Sequence, residues 1–169
     1  MVSLTKKEIF LLEGEKYQQQ LAIDKYNNYA LQAHDHNLKI LFSNLVKIEE
    51  KHLNIINDML QGNTPKTNKE NLHPYYNNSI NSADYINVGD ITLTSIDDNS
   101  YKDGDKIICF DALTTEELLH STTSASSLEF EKTEFHSILK YIINEKSENL
   151  KYLNDYMTKK GMFNNIIYF

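Results

Sequence analysis

The stretch LKILFSNLVKIEEKHLNIINDML, residues 38–60, decides the fold. Its row Leu38, Leu41, Leu45, Ile48, His52, Ile55 and Met59, flanked by Phe42, Glu49 and Ile56, recurs at steps of three and four, the spacing that lines one face of an α-helix. His52 sits in that apolar row and Glu49 stands one turn before it. An imidazole and a carboxylate at this spacing, on a face turned inward, are either metal ligands or hydrogen-bonded core groups.

Outward from this helix the chain reads as all-α. Asp35 is a capping residue at its start and Gly62 a stop signal beyond its end. Before it, Thr5-Lys6-Lys7-Glu8 has the capping-box pattern and predicts a helix to about His34. The inward row expected there is Phe10, Gly14, Tyr17, Leu21, Asp24, Asn28 and Leu31. The short stretch at Asp35 makes these two helices an antiparallel hairpin, residues 5–61.

From residue 62 to 104 the periodicity lapses into Asn, Ser, Thr and Asp with Pro65 and Pro74, which reads as a long crossover. Ile91, Leu93 and Ile96 within it partly alternate with polar residues, like a short strand. A third helix is expected from Asp105 with Ile108, Ala112, Thr115, Leu119, Thr122 and Ser126 inward. A turn at Lys132 and Thr133 starts a fourth, with Ile138, Ile142, Glu145, Asn149, Tyr152 and Tyr156 on one row and Lys159, Lys160 and Gly161 closing it. This second hairpin spans 105–161, and the tail 162–169 is too apolar to stay in solvent, so it should fold back or meet a partner. Together these elements make one domain, 1–169, with helical hairpins on either side of the crossover.

Composition narrows the function. A net charge of -7 argues against a phosphate-binding surface, so no nucleic-acid partner is expected. No apolar run is long enough for a membrane span, and the first residues lack the apolar core of a signal peptide, which predicts a chain kept on the cytoplasmic side. Cys109 is the lone cysteine and sits among Ile107, Ile108 and Phe110, as a buried inert thiol would. All 17 basic residues are Lys, so the bidentate grip of Arg on carboxylates and phosphates is never used. No Gly-rich phosphate loop, paired CxxC motif or nucleophile elbow is present. The 11 Tyr read as amphipathic packing residues.

Three stretches carry a resemblance to a known family. They are Leu4 to Glu8 leading to Asp24-Lys25-Tyr26-Asn27-Asn28-Tyr29-Ala30; Leu113-Thr114-Thr115-Glu116 with Glu129-Phe130; and Ile143-Asn144-Glu145 leading to Tyr156-Met157-Thr158-Lys159-Lys160-Gly161-Met162-Phe163. In these the chain resembles the spore coat protein F family of endospore-forming bacteria, over both hairpins but not the crossover. The resemblance implies a ferritin-like four-helix bundle, synthesised in the cytoplasm of the mother cell and laid down in the spore coat. Its implied partners are other coat proteins, with self-association into a homo-oligomer, and it implies no settled biochemical activity.

Ferritin-like di-metal proteins use one Glu from each of two helices and a Glu-x-x-His step from each of the other two. Counting back from Glu49 and His52 through Asp35 reaches the level of Gln18 to Leu21, with Gln19 at the position where the resemblance suggests a Glu. The same count about Lys132 pairs Glu116 with Lys146-Ser147-Glu148-Asn149, where a second Glu-x-x-His would stand. The six positions are therefore Gln19, Glu49, His52, Glu116, Lys146 and Asn149, and the ammonium of Lys146 is expected to neutralise Glu49 and Glu116 in place of metal. On this reading there is no cofactor and the protein is not an enzyme. The alternative is a ferritin-like oxidoreductase disposing of peroxide, with Glu49, His52 and Glu116 holding one iron, manganese or zinc ion. A further alternative is a small-molecule carrier with a cavity near Thr122 to Ser126. His34, Asp35 and His36 read as a solvated turn, and His73, His120 and His136 have no partner at ligand spacing.

Overall fold

The computed structural model describes residues 3–67 and 101–163. Among them are four helices and no strand: α1 (Lys6–Gln32), α2 (His36–Leu60), α3 (Asp103–Ser127) and α4 (Thr133–Lys159). The chain is all-α. The expected strand-like segment at Ile91 to Ile96, most of the crossover and residues 164–169 of the tail lie outside the described residues.

Local chemistry sets the helix ends. At α1 the Thr5 hydroxyl accepts from the Glu8 amide while the Glu8 carboxylate accepts from the Thr5 amide at 2.7 Å, so two otherwise free donors are satisfied reciprocally. The Asp35 carboxylate accepts from the Asn37 and Leu38 amides at the start of α2. Gly62 and Gly161 end α2 and α4 at φ 76° and 66°, in the left-handed region where an added Cβ would be strained. The amides just beyond them, of Asn63 and Met162, return to the carbonyls of Asp58 and Met157 at 2.9 Å each. Met162 is thereby turned into the core, and Phe163 meets Phe110 edge-on. The start of the tail does fold back.

α1 packs chiefly on α2 and α3 chiefly on α4, as two antiparallel hairpins, and α1 lies beside α3 while α2 meets α4 more sparingly. The turn between α1 and α2 is less solvated than its sequence suggests. Asp105, in the first turn of α3, is buried and accepts from the backbone amides of His34 at 2.8 Å and Asp35 at 3.0 Å, and Lys160 pairs with the Asp35 carboxylate at 2.7 Å. The start of α3 is thus tied to the α1–α2 turn, so α2 and α3 run in the same direction, which a short loop between them could not allow.

The face of α1 differs from the expected one. Phe10, Tyr17 and Leu31 are 78%, 71% and 82% exposed, Gly14, Leu21, Asp24 and Asn28 are exposed too, and the buried row is Glu8, Leu12, Glu15, Gln19, Ala22 and Tyr26. With Ile23 beside them, three of the seven buried residues of α1 are polar, so counting apolar residues selects the opposite side of the helix. Its polar members have partners across the bundle: Glu15 accepts from the Thr123 and Ser126 hydroxyls at 2.6 and 2.9 Å, and the Glu131 amide points at Glu8. The row on α2 is as expected, and the expected rows of α3 and α4 face inward with Glu116, Thr123 and Lys146 added to them.

Two apolar clusters result. One gathers Ala22, Tyr26, Leu38, Phe42, Leu45, Ile108, Ala112, Leu119, Leu153 and Met157, and the other Leu12, Ile55, Ile56, Met59, Phe135, Ile138, Leu139 and Ile142. Between them every helix contributes polar side chains. Cys109 lies in the first cluster, and burial pushes its thiol up to about 12, which leaves it inert.

Because a buried carboxylate holding two backbone amides leaves both donors unpaired when it is removed, Asp105→Ala should cost about 1–3 kcal/mol. Urea unfolding followed by helical circular dichroism measures this. An unchanged midpoint would show that the turn does not depend on Asp105.

Candidate functional site

The layer between the two clusters is built from Gln19 of α1, Glu49 and His52 of α2, Glu116 of α3, and Glu145, Lys146 and Asn149 of α4, all buried. All six positions derived from the sequence therefore belong to it. Lys146 Nζ donates to Glu49 Oε2 at 2.8 Å and to Gln19 Oε1 at 3.2 Å. Asn149 Nδ2 donates to Glu49 Oε1 at 3.1 Å and lies 3.4 Å from Glu116 Oε2, bridging the two carboxylates. Glu116 Oε1 accepts from the Tyr26 hydroxyl at 2.7 Å. The expected division of labour is thus altered. Lys146 grips Glu49, while Glu116 is held by Tyr26 and Asn149.

His52 is bound on both nitrogens, with Glu49 Oε2 3.2 Å from Nδ1 and Glu145 Oε2 2.8 Å from Nε2. Glu145 in turn accepts from Lys51 at 2.9 Å and Tyr141 at 2.6 Å, and Lys51 lies over the Tyr141 ring and reaches its hydroxyl. Glu145, Tyr26, Lys51 and Tyr141 were not singled out as site residues from the sequence. Glu145 carried a signal, being a carboxylate on the inward row of α4 beside Lys146, but it falls outside the Glu-x-x-His register. Tyr26 stood on the side of α1 taken to face solvent.

Mutual pairing sets the protonation of the layer. Burial would raise Glu49, but the Lys146 ammonium and the His52 imidazolium outweigh it and hold the carboxyl well below its ordinary 4.5. Burial likewise opposes ionisation of Glu145, and His52, Tyr141 and Lys51 bring it down to about 2. Burial, and then the Lys146 charge, push His52 down, but Glu49 and Glu145 outweigh them and raise it above its ordinary 6.5, favouring the imidazolium. Glu116 moves the other way, raised by burial and then by the neighbouring Glu49 charge, which Lys146, Tyr26 and Asn149 only partly offset. One carboxyl of the layer is thus raised to about 7, while Glu49 and Glu145 are held well below the ordinary carboxylate value.

This donor set does not fit a metal centre. The Lys146 ammonium occupies the carboxylate edge that a cation would need, and Asn149 presents its NH2 group to both Glu49 and Glu116. His52 has no free lone pair while both its nitrogens face carboxylates as an imidazolium. Among the described residues no three His, Cys, Asp or Glu side chains converge as a ligand group. His34 lies 3.4 Å from Asp105, His120 and His136 join no cluster, and His73 lies outside the described residues. Comparison with protein-family models, curated proteins and solved structures gives no match for this chain.

The pH dependence follows from these directions. Glu49 and Glu145, depressed on folding, contribute stability that is present above 4.5 and lost as pH falls through their folded values. Glu116, raised, contributes stability that is complete below 4.5 and declines as pH rises through its folded value; His52 does the same from 6.5 upward. Stability should therefore be greatest just above pH 4.5 and fall on both sides, as read from urea midpoints across the range. A flat profile from mildly acid to mildly alkaline pH would contradict the raised Glu116 and His52. Removing one partner of the buried pair leaves the other charge stranded, so Lys146→Met should cost about 3–5 kcal/mol, and adding Glu49→Gln should recover part of that loss.

Proposed function

We propose that this chain is a structural or interaction component of the bacterial spore coat, a ferritin-like four-helix bundle in which a buried ion-pair layer stands where related folds hold two metal ions. The observation that carries the reading is the Lys146 ammonium, fully buried against Glu49 at 2.8 Å with Gln19 as its second partner. A protein that keeps a lysine there has replaced a cation's charge with a side chain, and with it the open coordination positions that oxidative chemistry requires. The helix order and the resemblance over both hairpins support the fold-family and coat assignments. The protein is assembled from the mother-cell cytoplasm onto the spore, where its partners are other coat proteins and further copies of itself.

An interaction role is supported by the outer face of α1, where Phe10, Tyr17 and Leu21 stand exposed in one row along the helix. Exposed aromatic and aliphatic side chains in a row are what a chain destined for a protein layer can bury on assembly. No helix among the described residues is long and apolar enough to cross a membrane. The alternative of a peroxide-consuming oxidoreductase with a single ion on Glu49, His52 and Glu116 has no geometric support, since all three are engaged by Lys146, Glu145, Tyr26 and Asn149.

Chelator-stripped protein titrated with iron, manganese or zinc should take up no tight equivalent. Lys146→Glu combined with Asn149→His restores a Glu-x-x-His step on α4 and should bring stoichiometric binding where the wild type has none. Two tight equivalents in the unaltered protein would defeat the proposal.

A further inference from the structure

Three side chains of the polar layer meet closely, Lys146 of α4, Gln19 of α1 and Glu49 of α2. Lys146 Nζ lies 3.2 Å from the carbonyl oxygen of the Gln19 side chain and 2.8 Å from the Glu49 carboxylate, and all three residues are 0% exposed. The other end of the Gln19 amide, Nε2, is buried and has no hydrogen-bond partner among the described residues. A buried amide nitrogen without an acceptor is a destabilising arrangement.

We propose that Lys146 and Gln19 join in an intramolecular isopeptide bond, tying α4 to α1 at the middle of the bundle. Glu49 takes a proton from the Lys146 ammonium across their contact, and the free amine adds to Cδ of Gln19, its lone pair forming the new C–N bond while the carbonyl π pair moves onto Oε1. Once the Gln19 amide has turned to bring Nε2 to Glu49, which it does not touch in the resting layer, Glu49 passes its proton to Nε2 and accepts the second proton of the attacking amine. The Cδ–Nε2 bond then breaks, the carbonyl re-forms, and the leaving group departs as ammonium once Glu49's proton follows it. One ammonium and one primary amide become one secondary amide and one ammonium ion, with no change of oxidation state and no co-reactant.

Several features of the layer favour this course. Helices α1 and α4 hold amine and carbonyl together, which replaces a bimolecular encounter by a positioned one. Turning the Gln19 amide to present Cδ to Nζ sacrifices no bond at Nε2 among the described residues. Full burial keeps bulk water, the competing nucleophile, away from the carbonyl. The charges also remain matched afterwards: Glu49 retains the imidazolium of His52 at 3.2 Å, and Glu145 retains Lys51 at 2.9 Å. The inference rests on Lys146 standing inside the bundle, as the metal-free reading requires, but adds a covalent consequence to it.

Intact-mass spectrometry of the purified full chain, incubated folded at neutral and mildly alkaline pH, decides the matter. The expected result is a chain lighter by one ammonia. Trypsin cannot cut after a modified Lys146, so residues 17–25 and 141–151 should be recovered as one branched peptide. Lys146→Met and Gln19→Leu should keep their full sequence mass, with circular dichroism verifying that each still folds, and Glu49→Gln should slow the loss at least tenfold. A wild-type mass that stays at the sequence value overturns the proposal, while an accompanying lack of metal uptake would leave the metal-free reading intact. Loss of one water, which would place the bond on Glu49, or an ammonia loss that persists in Gln19→Leu, overturns it equally.

Discussion

A lysine ammonium with no exposure to solvent, held 2.8 Å from a carboxylate that is equally buried, constrains everything around it. Taking both charges out of water costs several kcal/mol each, and only close pairing with further hydrogen bonds offsets that cost. The consequences spread through all four helices. Glu49 needs Lys146 and Asn149 from α4; Lys146 needs Gln19 from α1; Glu116 of α3, denied a cation of its own, leans on Tyr26 and Asn149. Sliding any helix by one turn would break several of these contacts at once, whereas the apolar clusters above and below could tolerate a slip more cheaply. The layer therefore works as a register mark between two regions of less specific packing.

The same constraint bears on chemistry. A centre made for redox metals keeps carboxylates and imidazoles open toward a vacant coordination position, with their remaining atoms oriented by outer partners. Here the partners point inward. Both nitrogens of His52 are committed to Glu49 and Glu145, and an ammonium and an amide NH2 cover the carboxylate edges. Such a layer stores its electrostatic free energy in the fold.

Helix α1 shows where reading by hydropathy fails. Phe10, Tyr17, Leu21 and Leu31 form a row with the spacing of a core face, yet that face is exposed. Glu8, Glu15 and Gln19 turn inward because each finds a partner: Thr5 and the Glu131 amide, the Thr123 and Ser126 hydroxyls, and Lys146. Apart from the local Thr5 contact of Glu8, these hydrogen bonds come from residues 108 to 127 positions away, and no window along one helix contains them. The hydroxyl-rich middle of α3, which reads as a weak helical stretch, gains a purpose from this pairing. Thr123 and Ser126 are the donors that make a carboxylate on α1 tolerable.

What the sequence determined by itself was local or periodic: four helices, their caps at Thr5 and Asp35, the glycine stops at Gly62 and Gly161, the apolar row of α2, and the levels at which Gln19, Glu49, His52, Glu116, Lys146 and Asn149 stand. These follow from 3.6-residue geometry and from counting about a turn, neither of which requires knowing the neighbours. Tertiary structure alone decided which face of α1 turns inward, that Glu145 answers the second ring nitrogen of His52, and that Lys146 grips Glu49 while Glu116 is held by Tyr26 and Asn149. Those outcomes depend on the distance between charges carried by different helices in a medium that screens them weakly, and that distance exists only once the helices have packed.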